Sequence, residues 1–269
     1  MKAARFEYAR AATCRDAARL LKESAGAAKV LSGGQSLGAM MNLRLVQPEL
    51  LVDVRAIEEM RGCIIEADAV TFGANTTHAE IEDGRVADPT RGLMPYVAAG
   101  IAYRAIRNRG TLGGSLAHAD PAADWVNLMA LLDAEYRLDG LEGMRTVPSS
   151  EWMSGAFSTA LREEEILAGV RIPSLSGAAR WSYYKVNRKP GEFAEAIAAI
   201  IDDGPGEVRR GLIGASDGVP YVFAAGPLID RWDEALAEVH LQAAGLAVGT
   251  YEYRIHRTAL IRAVAAVRR

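Results

Sequence analysis

Cysteine is almost absent: Cys14 and Cys63 are the only two thiols in 269 residues. So widely separated, they form no CxxC zinc or redox motif, and a cluster needing four thiolates cannot be built from this chain alone. Both are expected to be buried or ordinary free cysteines. No run of Lys or Arg offers a phosphate-tracking stripe, and a net charge of −3 with a pI near 5.9 gives no footprint for nucleic acid. Apolar residues never run unbroken for the roughly 18 positions of a membrane-spanning helix. The opening MKAARFEYAR lacks an apolar h-region, so no signal peptide is expected and cytoplasmic residence is the expectation. G-x-G-x-x-G, G-x-x-x-x-G-K-[ST] and H-E-x-x-H are all missing, which removes the ordinary Rossmann, P-loop and zincin readings. His78, His118, His240 and His256 do not fall at metal-ligand spacings and are expected to be structural or solvated.

What is present is the patterning of an α/β chain. CRDAARLLKES (14–24) puts Ala17, Leu20 and Leu21 on one helical face before Gly26, and AKVLSGG follows as a strand entering a glycine turn. GAMMNLRL has helical spacing closed by Pro48, and LLVDVRAI is a buried strand. GCIIEADAVTFGANTTHAEIED predicts two strands, then a helix capped at Thr76 or Thr77. GLMPYVAAGIAYRAIRNRG predicts one helix after Pro95, ending in a basic cluster at Gly110. TLGGSLAHADPAADWVNLMALLDAEYRL predicts a second double-glycine turn and a buried helix from Trp125 to Leu132, and EEILAGVRIP is a strand stopped by Pro173.

Beyond a boundary near residues 174–178 the texture changes. SLSGAARWSYYKVNRKPGEFAEAIAAII gives a Ser/Gly linker, an aromatic strand, a turn and an apolar segment. RRGLIGASDGVPYVF gives strands around turns, and the C-terminal stretch looks mainly helical, with Ile255, Leu260, Val264 and Val267 able to pack inward. The expected class is an α/β unit followed by a smaller α+β unit.

Chemistry concentrates in two loops. SGGQS (32–36) and TLGGS (111–115) each set Gly-Gly beside a hydroxyl residue. Glycine lets backbone N–H groups converge on a ligand, and converging N–H groups make an anion-binding nest. Ser32, Ser36, Thr111 and Ser115 add hydroxyl donors. With RNR (107–109) leading into the second loop, the pair fits a diphosphate. Asp120 and Asp124 either accept hydrogen bonds from sugar-like hydroxyls or cap a helix around Pro121. Gly34-Gln35-Ser36-Leu37-Gly38 also spells G-x-S-x-G, the nucleophile elbow of serine hydrolases. Only 35 residues precede Ser36, too few for the strands that fold places first, and neither His240 nor His256 sits in an obvious loop after a strand. The loop is read as a cofactor cradle.

In sequence, the chain resembles the FAD-binding medium subunit of molybdenum hydroxylases, the carbon monoxide dehydrogenase and xanthine dehydrogenase group. FEYARAATCRDAARLLKE, LSGGQSLGAMMNLRLVQPELLVDV, TTHAEIE, IRNRGTLGGSLAHADPAADW, EEILAGVRIP and YYKVNRKPGEFA carry the resemblance, with YEYRIHR near the end. It implies an α/β (α+β) fold: a vanillyl-alcohol-oxidase (PCMH)-type FAD-binding domain over 1–175, with subdomains of about 1–57 and 58–175, and a smaller C-terminal α/β domain over 176–269. The first loop (Leu31, Ser32, Gly33, Gly34, Gln35, Ser36, Leu37, Gly38) and the second (Thr111, Leu112, Gly113, Gly114, Ser115) would hold the diphosphate and neighbouring groups.

By the same resemblance Asp124 matches a cofactor-binding carboxylate, and Leu167 and Lys185 match positions that approach the flavin. Lys185 near the ring would favour negative charge on reduced flavin; on its own pattern it is an exposed strand lysine. Phe193 stands where some members carry a tyrosine beside the flavin, so an aromatic face is kept and the hydroxyl is lost. The implied function is that of the FAD subunit of a heterotrimer. A small subunit with two [2Fe–2S] clusters passes electrons from a large subunit carrying molybdenum cofactor, a dimer of heterotrimers is expected, and an external acceptor takes the electrons. No side chain is assigned as a general acid or base. The alternatives are a stand-alone flavin oxidase or dehydrogenase of the same fold, for which His118 is the only nearby covalent-flavin candidate, a non-enzymatic binding module, and, remotely, a hydrolase using Ser36.

Overall fold

A computed structural model describes residues 2–268. Three stretches of chain each build one principal sheet. The first is parallel and three-stranded, in the order β1-β3-β2: β1 (Glu7–Arg10), β2 (Ala28–Leu31) and β3 (Leu50–Asp53). Helix α1 (Cys14–Glu23) forms because Thr13 accepts the Asp16 N–H at its start while Cys14, Ala17, Ala18 and Leu21 fall on one buried face. Helix α2 (Leu37–Asn42) is short and returns the chain from β2 to β3.

The second sheet is five-stranded and antiparallel, in the order β4-β5-β10-β6-β7. Its strands are β4 (Cys63–Ile65), β5 (Ala69–Gly73), β6 (Glu135–Gly140), β7 (Gly143–Pro148) and β10 (Ile166–Pro173); the small hairpin of β8 (Met153–Gly155) and β9 (Ser158–Thr159) lies between the last two in sequence. Long-range return of the chain is visible here: β10 pairs with both β5 and β6, with a register shift between Leu167 and Gly169. Between β5 and β6 run α3 (His78–Glu82), α4 (Leu93–Ala99), α5 (Arg104–Arg107), α6 (Leu112–His118) and α7 (Asp124–Leu132). Thr77 caps α3 in a full capping box with Glu80.

Two expectations change in this stretch. The single helix expected after Pro95 is two, α4 and α5, because the chain breaks at Gly100–Ala102, where Ala102 has φ +44 and donates its N–H to Gly191 O. The expected second glycine turn is the first turn of α6, capped by Thr111, whose Oγ1 accepts the Gly114 N–H.

The third sheet is an antiparallel meander, β11 (Arg180–Val186), β12 (Ala196–Asp203), β13 (Val208–Gly214) and β14 (Tyr221–Ala224), covered by α8 (Gly226–Asp230), α9 (Glu234–Ala243) and α10 (Tyr251–Val267). Strand β12 is buried on both faces. Ala196, Ala198 and Ile200 pack with α10 residues Leu260, Val264 and Val267, whereas Ile197, Ala199 and Ile201 join the larger core with Trp125, Leu128 and Met129 of α7. Period-two alternation thus divides one strand between two cores. Among the described residues no helix is long and apolar enough to cross a membrane.

Candidate functional site

The carboxyl end of β2 runs directly into the first glycine loop. Among the described residues, the backbone N–H groups of Gly33, Gly34, Gln35, Ser36 and Leu37 donate to no protein acceptor, while Gly38 already bonds Gly34 O at 2.9 Å. This run of open donors at the start of α2 is what an anion requires.

The second loop lies against it. A Cβ on Gly33 would come within 2.1 Å of Arg109 O, so only glycine lets the two backbones approach this closely. The Thr111 and Ser32 hydroxyls are 2.9 Å apart, Ser32 donates to Asn75 Oδ1 at 2.6 Å, and Asn75 Nδ2 donates to Val54 O at 2.8 Å. Since Ser32 gives its proton to Asn75, Thr111 supplies the proton between the two hydroxyls. The chain of bonds ties both loops to β3.

The amides of the second loop are engaged. Leu112 donates to Thr76 O, Gly113 to Ala74 O, Gly114 to Thr111 Oγ1 and Ser115 to Thr111 O. The expectation that these N–H groups converge on a ligand is therefore corrected: they hold α6 against residues 74–77. Gly113 is required for packing, because a Cβ there would meet Ala74 Cβ at 2.4 Å. Ala74 in turn donates its N–H to Ala168 O, in the irregular step of β10.

Between the loops opens a cleft of about 280 Å3. Gly33 and Arg55 line it on the side of the first sheet, and Arg61, Gly62, Asn75, Thr77, Glu80, Asn108, Arg109 and Thr111 on the side of the second. Glu80 uses Oε2 to accept from both the N–H and the hydroxyl of Thr77. Among the described residues neither Arg61 nor Arg109 has a carboxylate within salt-bridge distance. Arg107, the other arginine of RNR, is bound to Glu82 and to the carbonyls of Ile101 and Ala102. Asn75, Arg55 and Arg61 were not singled out by sequence. Asn75 lies one residue before the TTHAEIE segment, but the arginines carry no pattern of their own.

His78 stands behind the second loop. Its Nδ1 accepts from Trp125 Nε1 at 3.0 Å, its N–H donates to Gly110 O, and its ring lies under Gly110 Cα. Burial, helped by the positive charge of Arg107, pushes its pKa down to about 4. The ring is neutral at neutral pH with its proton on Nε2.

Asp124 and Lys185 are brought together, 61 residues apart in sequence. Lys185 Nζ lies 2.7 Å from Asp124 Oδ2, and Tyr183 donates to Asp124 Oδ1 at 2.8 Å. Both ends of the ion pair are largely buried. Burial raises the Asp124 pKa against the pull of Lys185, and burial together with the Asp124 carboxylate pushes the Tyr183 hydroxyl well up. Lys185 is thus no exposed strand lysine, and Asp124 latches α7 to β11 through these two bonds. Asp120 makes the turn around Pro121, accepting from Ala122 N–H. Leu167 is buried in the core on β10, while Phe193 is 62% exposed beside the loop that returns Gly191 to Ala102.

Among the described residues no histidine hydrogen-bonds Ser36. His240 bonds the Tyr221 hydroxyl, and His256 lies between Glu252 O and Gly214 O in the third unit.

The donor set matches FAD: open amides suit a diphosphate, flanking arginines balance its charge, and a cleft of this size takes that part of a dinucleotide with the remainder along the open sides. Comparison with known proteins agrees. Residues 4–175 match the family described as FAD binding domain in molybdopterin dehydrogenase. The carbon monoxide dehydrogenase medium chain of Hydrogenophaga pseudoflava is 36% identical over 197 residues, 73% of this chain and 69% of that one. The nicotine 6-hydroxylase medium subunit of Paenarthrobacter nicotinovorans is 33% identical over 201 residues, 75% of this chain and 70% of that one. A solved carbon monoxide dehydrogenase from Hydrogenophaga pseudoflava, lacking the Mo-pyranopterin moiety of its molybdenum cofactor, superposes with a TM-score of 0.90 at 29% identity, covering 99% of this chain and 98% of that one. The chain belongs to the family of FAD binding domains in molybdopterin dehydrogenases and is the FAD-binding component of an oxidoreductase.

Proposed function

We propose that the chain is the FAD subunit of a heterotrimeric molybdenum hydroxylase of the cytoplasm. On this reading it receives electrons from [2Fe–2S] clusters of a small partner subunit, with the molybdenum cofactor held by a large partner subunit, and passes them to an external acceptor. Two heterotrimers would pair in the full assembly. Residues 1–57 and 58–175 would be the two halves that enclose the cofactor, and 176–269 the domain that closes over them.

The observation that carries the cofactor assignment is the run of open N–H groups from Gly33 to Leu37, held in place by the bonded Ser32 and Thr111 hydroxyls behind it. The diphosphate would lie on those donors, with Arg109 and Arg61 balancing its charge. Bound FAD supplies the two-electron acceptance and release; the protein supplies position and electrostatic setting. Phe193, exposed at the edge of the third unit, offers an aromatic face to the ring. Lys185 is neutralised by Asp124, so any pull it exerts on negative charge at the flavin is weakened by its partner. Leu167, deep on β10, would act only through the packing of the wall.

The test is titration of the cofactor-free chain with FAD, read by quenching of flavin fluorescence, followed by isolation of the native assembly. Stoichiometric FAD with an iron–sulfur chain and a molybdenum chain alongside supports the reading. A chain that takes up no FAD overturns the cofactor assignment; one that holds FAD and isolates alone with activity on an organic substrate overturns the subunit assignment.

A further inference from the structure

The carboxyl end of β1 plays no part in the cradle just described. Strand β1 stops at Arg10, and there a second recess of about 360 Å3 opens, lined by Arg10, Asp53, Arg55, Ala56 and Arg61. It adjoins the cofactor cleft and shares Arg55 and Arg61 with it. In open α/β sheets ligands collect beyond the carboxyl ends of parallel strands. Here the end of β2 carries the first glycine loop, and the ends of β1 and β3 carry this recess.

Its charge is unbalanced. Asp53 is the one carboxylate in the wall, and it is 1% exposed. Tyr8 donates to it, and Arg55 donates its backbone N–H at 2.9 Å, Nε at 3.0 Å and Nη2 at 2.7 Å. Burial alone would raise its pKa, but the bonds from Arg55 and Tyr8 prevail and hold it at about 2. Asp53 is therefore ionised and saturated, and it neutralises one guanidinium of three.

Donors are left over. Arg61 gives Nε and Nη2 to Arg55 O at 3.0 and 2.7 Å, leaving Nη1 free of protein acceptors among the described residues. Arg55 likewise keeps Nη1. Arg10 reaches Asp53 only at 4.0 Å, and its side chain is 65% exposed. Two surplus positive charges with unfilled guanidinium N–H groups, in a concave wall sized for a small molecule, match a phosphate group.

We propose that this recess binds the phosphate group of a small molecule other than the flavin dinucleotide. Because Arg55 and Arg61 face both compartments, an anion here and a diphosphate next door weaken each other's binding by the same factor. The site stands on its own geometry, whatever the neighbouring cleft holds.

The experiment uses the full chain loaded with FAD, titrated calorimetrically with inorganic phosphate and then with glycerol 3-phosphate, with chloride at matched ionic strength as the control. Saturable 1:1 phosphate binding is expected, weakened roughly tenfold in Arg10→Gln, while FAD stoichiometry read from the flavin spectrum is unchanged. Absence of saturable binding, or binding equal to chloride, overturns the proposal. So does full phosphate affinity in Arg10→Gln. Loss of FAD together with phosphate in that variant would make the recess part of the cofactor site and also overturns it. If the wild-type chain binds no FAD, the same titration on the cofactor-free chain still decides the recess, so the two readings fail separately.

Discussion

Among the described residues the backbone N–H groups of Gly33 to Leu37 bond no protein acceptor, and in TLGGS each one from Leu112 to Ser115 is taken. Both segments carry paired glycines beside hydroxyl residues, and both border the same cleft. The difference lies in the structure each glycine pair enters. The first loop leaves a parallel strand and turns through open backbone before α2 begins; the second is drawn into α6 by the Thr111 cap and by pairing with residues 74–77. The first leaves its donors open, and the second spends its own on holding α6 against residues 74–77.

The largest effect should come where the two loops touch. Gly33→Val would drive a Cβ into the Arg109 carbonyl from 2.1 Å, with backbone on both sides and no side chain able to yield. We expect complete loss of FAD retention and about 3 kcal/mol of lost stability, checked by flavin absorbance after gel filtration and by urea denaturation. Asp124→Asn comes next. It leaves the buried Lys185 ammonium without its counter-charge, and about 3 kcal/mol of stability should go with it, partly restored by Lys185→Met in the same chain. If the double variant were no better than the single one, the latch would not be the reason.

Gly113→Ala sharpens the contrast between the loops. Its Cβ meets Ala74 at 2.4 Å, so the midpoint of unfolding should fall by the equivalent of about 2 kcal/mol, while FAD affinity of the folded fraction stays within a few-fold. Loss of affinity without loss of stability would mean that the second loop binds through its backbone after all.

Acid should loosen the second loop through His78. Its folded pKa of about 4 lies below the ordinary 6.5, so the folded state prefers the neutral ring. That contribution to stability is complete above pH 6.5 and is lost as pH falls toward 4, amounting to about 3 kcal/mol at the bottom of the window. A His78→Gln variant should show a flatter stability profile across that range. The smallest effect belongs to Ser36→Ala: FAD affinity should fall less than about tenfold, and no esterase activity should exist to be lost.

The fold was legible wherever local pattern and burial agree. Helix α1, a capped helix start at Thr76 or Thr77, and the buried run of α7 all come from spacing, while the Thr13 cap was not singled out. Strand β12 did not, because AIAAIIDD is apolar on both faces and an unbroken apolar run fits a buried helix as well as a buried strand. The break between α4 and α5 is written in the third unit, at Gly191, and no window around Ala102 contains it. In the candidate site both glycine loops could be picked out, but their division of labour could not. That depends on contacts with Ala74, Thr76 and Arg109, and spacing along the chain places none of them against the glycines. The pairing of Asp124 with Lys185 was hidden for the same reason: each was noticed, but nothing in the sequence says they meet.

Strand β12 carries a practical warning. The family match ends at residue 175, yet every second side chain of this strand, far beyond that point, seals the inner surface of α7. A truncated 1–175 fragment would bare Leu128 and Met129 to water, so it should aggregate instead of standing as a miniature flavoprotein. Anyone trimming the gene to its recognisable part would be cutting through a shared keel.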